Sequence, residues 1–111
     1  MTYLTPSAIS AAELIAAVDI GSNSFHLVIA RIVDGALQLL HREKQKVQLA
    51  DGLDAEQMLS DEAMQRGLLV LKQFADSLQG VPPAAVRVIA TYTLRRAKNS
   101  AEFLRQAQQV F

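Results

Sequence analysis

Apolar residues in the first part of the chain form short runs, which are typical of β-strands. Leu14–Ile20 (LIAAVDI) is apolar except for one carboxylate and predicts a strand buried on both faces. Ser24–Val33 is rich in β-branched and aromatic residues and predicts a second strand. Asp34-Gly35 is a strong hairpin signal, and residues 36–47 alternate as a half-exposed edge strand does. These segments predict an antiparallel meander.

A helical period replaces the strand pattern after residue 59. Ser60 is the predicted N-cap of this helix, and Gly67 predicts close packing against the sheet. Gly80 and the Pro82-Pro83 pair end the helix. Its apolar stripe, at intervals of three and four residues, consists of Met64, Leu68, Leu71, Ala75 and Leu78.

The last part of the chain predicts one more strand and one more helix. Residues 86–91 (VRVIAT) follow a helix, so we expect a strand parallel to the first. Asn99 and Glu102 have the spacing of a capping box. The buried side of the last helix is predicted to contain Phe103, Leu104, Ala107 and Val110. The element order is therefore β-β-β-α-β-α, an α/β fold with a mixed sheet.

Composition limits the class of protein. The 111 residues are half apolar, which suits one small packed domain, and residues 1–12 predict a flexible leader. Eleven acidic and eleven basic residues give zero net charge, which argues against general nucleic-acid binding. No cysteine is present, so disulfides and cysteine zinc sites are excluded. Charge is nonetheless uneven, because residues 51–80 hold six acids against two bases and residues 87–105 hold five bases against one acid.

The residues between the first two predicted strands are the strongest candidates for chemistry. Gly21 lets the backbone approach a ligand, and the N–H groups of a tight turn converge on an anion. Ser22, Asn23 and Ser24 add donors for phosphate oxygens. A plain β-turn is the commoner outcome of such a pattern. Asp19, a candidate ligand for a divalent cation, favours function because a carboxylate in a buried strand is costly without a partner.

A basic segment follows the fourth predicted strand. It runs from Thr91 through Arg95, Arg96 and Lys98 to Asn99. Ligands of parallel α/β sheets lie beyond the carboxyl ends of the strands, and arginine grips phosphate with two donors. A solvated approach to the last helix explains the pattern equally well. Because the first and fourth strands are expected to be neighbours, both loops are predicted to open on one cleft.

The remaining aromatic and histidine side chains predict structure rather than chemistry. Phe25, Phe74 and Phe103 are candidate core residues. His26 is interpreted as a structural histidine, because no second histidine lies near it along the sequence.

Three segments resemble a known family in the same order. They are AAVDIGSNSFHLVIARIVDG, QLADGLDAEQMLSDEAMQRGL and VIATYTLRRAKNSAEFL, and the resemblance runs from about Ala16 to the end. The sequence is similar to the N-terminal segment of the exopolyphosphatase / guanosine pentaphosphate phosphohydrolase family, and looks most like a bacterial exopolyphosphatase. This family belongs to the actin-like ATPase (ribonuclease H-like) superfamily, so residues 13–111 are expected to form an incomplete N-terminal lobe of that fold.

The resemblance also implies an activity. Family enzymes release terminal phosphate from inorganic polyphosphate, or the γ-phosphate from guanosine pentaphosphate, with Mg²⁺ and an activated water. Asp19 is then the expected metal ligand. The implied phosphate-binding residues are Gly21, Ser22, Asn23, Ser24, Thr91 and Arg95.

Other family motifs are absent from these 111 residues. The Gly-x-Glu-Glu-Ala-Arg motif with the general-base glutamate and the second phosphate loop Asp-Ile-Gly-Gly-Gly-Ser do not occur. We therefore expect the chain alone to be inactive and the full-length parent to be the enzyme. The resemblance implies a cytoplasmic homodimer, with association with the inner face of the membrane as an alternative location. A non-catalytic phosphate-binding or interaction module is the alternative function.

Overall fold

The computed structural model describes residues 14–90 and 96–111. The predicted leader and the candidate residues Thr91 and Arg95 lie outside the described residues. No helix in the described part is both long and apolar enough to cross a membrane. Single turns of 3₁₀ helix occur at Leu49–Gly52 and Pro83–Ala85. The strands and helices are β1 (Leu14–Ile20), β2 (Ser24–Val33), β3 (Ala36–Lys46), α1 (Asp61–Ser77), β4 (Val86–Ala90) and α2 (Ser100–Val110).

The four described strands form one mixed sheet in the order β3-β2-β1-β4. The meander β1-β2-β3 is antiparallel and β4 runs parallel to β1, as predicted. Asp34 and Gly35 have φ angles of 51° and 79°, which two-residue hairpins of type I′ require. The mixed α/β architecture is confirmed.

The core lies on one face of this sheet, beneath both helices. Val18, Leu27, Phe74 and Phe103 belong to one cluster and have no exposed surface. The prediction that β1 is buried on both faces was wrong, because Ala17 is exposed. Alternate residues of a strand point to opposite faces, and no described helix covers the second face. The apolar run therefore indicated a strand without indicating what covers it.

Helix α1 begins and packs as predicted. The Ser60 hydroxyl accepts a hydrogen bond from the Ala63 amide at 3.1 Å, so it is the N-cap. A Cβ atom added to Gly67 would lie 3.0 Å from the Phe103 ring and 3.3 Å from the Phe25 ring. Close contact with β2 and α2 thus explains this glycine. The buried face is shifted from the predicted stripe, since it contains Ala63, Val70 and Phe74, whereas Leu68 and Ala75 are only partly buried.

Helix α2 differs from prediction at two points. Asn99 makes no side-chain cap, and its carboxamide instead binds the Leu59 backbone, so the capping box was wrong. Leu104 is 36% exposed and lies outside the buried face. Phe103 and Ala107 are buried, which leaves a narrower apolar face than the sequence suggested.

Candidate functional site: a loop held by a backbone strap

The predicted phosphate loop connects β1 to β2 as a tight backbone turn. The Gly21 amide donates to the Ser24 carbonyl at 3.2 Å. A Cβ atom at Gly21 would lie 2.5 Å from that carbonyl oxygen, a distance that real side chains do not reach. Glycine is therefore required here by the close approach of the chain to itself. Ser24 is the buried polar residue at the end of the turn.

A second segment, residues 47–50, holds this loop from outside, and we call it the strap. The amides of Val47 and Gln48 both donate to the Asn23 carbonyl at 2.8 Å, and the Ala50 amide donates to the Ser22 carbonyl at 2.9 Å. A planar trans peptide places its C=O and N–H on opposite sides. The N–H groups of Asn23 and Ser24 therefore face away from the strap. The hydrogen bonds from the strap, and not only the side chains of the loop, thus determine the shape of the loop.

Arg66 of α1 lies behind the strap. Its Nε donates to the Val47 carbonyl at 3.0 Å and its Nη2 to the Gln48 carbonyl at 3.1 Å, while Nη1 contacts Glu62 at 3.2 Å. Gln48 has left-handed angles (φ 54°, ψ 50°), which turn successive carbonyls to one side. Sequence reasoning missed Arg66, because a Glu four residues before an Arg also predicts an ordinary surface pair.

Asp19 is the only residue that the sequence analysis predicted to bind a metal ion. It is half-buried on β1, opposite His26 of β2 and Ile89 of β4. Its Oδ1 is buried and has no hydrogen-bond partner among the described residues. A buried carboxylate oxygen without a partner is suited to a hard cation. The described residues contain no group of three His, Cys, Asp or Glu that could hold a metal. One carboxylate still fits Mg²⁺, which retains water and takes phosphate oxygens.

The second candidate loop begins at the same edge of the sheet as the first. Ala90, the last residue of β4, pairs with Ile20, the last residue of β1. The two strands therefore end side by side at one edge of the sheet. Thr91 and Arg95 are the first and last of residues 91–95, which lie outside the described part of the chain. Their predicted role in binding phosphate stays a prediction.

Residues 98 and 99 are connected to the segment that follows the strap by a short series of hydrogen bonds. The Lys98 amide donates to the Gln57 carbonyl at 2.8 Å. Asn99 accepts from the Leu59 amide at 2.9 Å and donates to the Leu59 carbonyl at 3.0 Å. The Ser60 amide in turn donates to the Gly52 carbonyl at 2.8 Å, two residues beyond the strap. These hydrogen bonds thus fix residues 98 and 99 relative to the strap, which in turn holds the first loop.

This arrangement matches known proteins along most of the chain. The sequence pattern of the Ppx/GppA phosphatase family fits residues 28–111. The chain therefore belongs to the Ppx/GppA phosphatase family. A Haemophilus influenzae protein named "Putative exopolyphosphatase" is 59% identical over 97 residues, which are 87% of this chain and 30% of that protein.

Solved structures of the family have the same fold. The Aquifex aeolicus Ppx/GppA family member superposes with a TM-score of 0.81 at 30% identity, over 87% of this chain and 32% of that one. An exopolyphosphatase from Cytophaga hutchinsonii gives 0.77 at 33% identity, over 87% and 31%. The predicted actin-like ATPase fold is thereby confirmed. The chain spans about a third of the length of these relatives.

Proposed function

We propose that the chain is the N-terminal part of an exopolyphosphatase, which releases terminal phosphate from inorganic polyphosphate by metal-assisted hydrolysis. In this proposal Gly21–Ser24 is the first phosphate-binding loop and Arg95 is the arginine that grips phosphate. The observation that carries it is the strap-held loop, whose Asn23 and Ser24 amides face away from the strap. Preorganised backbone donors stabilise charge on a transferred phosphoryl group without reorganising during the reaction.

Asp19 has a separate part in the proposal. Its buried, unpartnered Oδ1 would hold Mg²⁺ at the end of β1, directly or through water. When bound, the ion neutralises charge on phosphate oxygens. The segment thus contributes phosphate and metal contacts, whereas the general base belongs to the remaining length of the family protein. We therefore expect the chain alone to bind phosphate chains without hydrolysing them.

A chimera tests the proposed activity. This chain replaces the matching 97-residue segment of the Haemophilus influenzae relative, and release of orthophosphate from polyphosphate is measured. We expect hydrolysis that depends on Mg²⁺. Arg95→Ala should lower kcat by roughly 100- to 1,000-fold, the usual cost of removing one donor to a developing charge. Arg105→Ala is the matched control, because Arg105 forms an exposed ion pair with Glu102 on α2.

The outcomes separate the alternatives. An unchanged rate in Arg95→Ala would remove this arginine from the mechanism. A higher kcat/KM for guanosine pentaphosphate than for polyphosphate would make the chimera a guanosine pentaphosphate phosphohydrolase, and would overturn the proposed substrate. Titration of the 111-residue chain with tripolyphosphate at low salt tests the binding loop directly. If no binding is detected there, the loop is not a phosphate site in this chain.

A further inference from the structure

The geometry points to a positioning residue for the phosphate loop: we propose that Arg66, through the strap, holds the Asn23 and Ser24 amides in the orientation that binds phosphate. This inference rests on the proposed function for its ligand. Its structural part, that Arg66 sets the shape of the loop, stands without any ligand. Arg66 does not touch the loop, so its action is indirect.

A single peptide unit connects the arginine to the loop. The Val47 carbonyl accepts from Arg66 Nε, and the Gln48 amide of the same peptide donates to the Asn23 carbonyl. Trans geometry places these two bonds on opposite sides of the unit, so the peptide is held from both ends. A charged donor polarises the peptide and strengthens the bond that its N–H makes. The Asn23 carbonyl is in turn part of the peptide that carries the Ser24 amide.

Two features distinguish Arg66 from an arginine that merely pairs on the surface. Val47 is 2% exposed, so its carbonyl is poorly placed to use water in place of the guanidinium. The Nε and Nη2 donors also bind two consecutive carbonyls, which converge because Gln48 is left-handed. Lysine has no planar fork that matches such a pair of acceptors. The exposed contact with Glu62 is the least important of the three.

The loss of Arg66 should therefore loosen the strap before it unfolds the chain. A hydrogen bond from a charged group contributes enough that its removal increases local opening by roughly tenfold. Arg66 is partly exposed, so water replaces some of the lost bonding at Gln48. We expect the effect to be concentrated at the amides of Val47, Gln48 and Ala50, which bond the loop, and at Asn23 and Ser24 within it.

Amide exchange of the 111-residue chain, followed by NMR, tests this without a ligand. Arg66→Gln should increase exchange at Gln48 and Ala50 by about tenfold and shift the Asn23 and Ser24 amide signals. Arg66→Lys, which keeps the charge, should restore only part of the protection. Arg105→Gln is the matched control, since it also loses one arginine and one helical ion pair. The amides of the central strands should remain protected in all three variants.

Tripolyphosphate titration of the same variants then tests the consequence. We expect roughly tenfold weaker binding for Arg66→Gln and unchanged binding for Arg105→Gln. Unchanged exchange and unchanged loop signals in Arg66→Gln would overturn the positioning role, even if tripolyphosphate binds. Unfolding of both Arg66 variants would overturn it too, because Arg66 would then be a general stability residue. Failure of the original chain to bind tripolyphosphate contradicts the proposed function but leaves the exchange test decisive for the strap.

Discussion

The two faces of the sheet differ in what covers them, although the same strands supply both. On the face beneath the helices, Val18 and Leu27 have no exposed surface. On the opposite face, Ala17 is exposed and Asp19 and Val28 are only partly buried. An apolar strand sequence therefore does not indicate which of its two faces another element covers. It also separates two roles, since the covered face stabilises the fold and the open face carries the candidate metal ligand.

Leu27 and Val28 are neighbours on β2 that belong to opposite faces of the sheet, and their variants should show the largest difference in the free energy of unfolding. Leu27→Ala leaves a cavity in the covered face and should reduce the free energy of unfolding by about 2–5 kcal/mol. Val28→Ala removes a smaller side chain from the open face and should cost less than about 1 kcal/mol. Urea denaturation of both variants measures the contrast. Equal losses would mean that the open face is covered in solution, for example by a second copy of the chain.

Asn99 provides a test of how α2 is fixed over the covered face. Asn99→Ala leaves the amide and carbonyl of Leu59, a residue with 3% exposure, without their partner. We expect a loss of about 1–3 kcal/mol in the free energy of unfolding. Asn99→Asp keeps the acceptor and loses the donor, so it should recover only part of this loss. Full recovery would instead indicate a helix cap, because Asp and Asn cap helices equally well.

Asp19→Asn should give the smallest change in the free energy of unfolding, and any change should be an increase and not a loss. Asp19→Asn removes a charge whose Oδ1 has no partner among the described residues, so stability should stay equal or rise by up to about 1 kcal/mol. The same variant should lose any increase in Tm that Mg²⁺ gives in the presence of tripolyphosphate. Asp51→Asn, at an exposed position, is the control and should keep that increase. A marked loss of stability in Asp19→Asn without ligand would show that the carboxylate is a structural group.

The sequence was sufficient wherever the deciding interactions are local. The Asp34-Gly35 hairpin and the Ser60 cap both depend on residues at most three positions apart, and both were predicted. Asn99 was misassigned because its actual partner, Leu59, is 40 positions away. Arg66 was missed for the same reason, since its carbonyl acceptors are 18 and 19 positions away. No local pattern distinguishes such long-range bonds from a cap or a surface pair.

The same distinction between local and long-range interactions applies to the candidate site. Gly21 was singled out because glycine lets the backbone approach a ligand, whereas the structure gives a different reason for it, the close contact of Gly21 with the Ser24 carbonyl. The strap was not foreseen, because residues 47–50 hold the loop through their main chain and not through their side chains. Main-chain donors are nearly independent of residue type, so they leave little trace in a sequence.

The parallel pairing of β1 with β4 also imposes an order of events during synthesis. The antiparallel pairs within the β1-β2-β3 meander are complete once residue 46 has been made, whereas the parallel partner of Ala16 is Val86. At roughly 5–20 residues per second, a ribosome needs several seconds to make the intervening chain. Throughout that interval one edge of β1 offers unpaired N–H and C=O groups to any other extended chain nearby. The arrival of β4 closes this edge of β1 and moves the unpaired edge of the described sheet to β4.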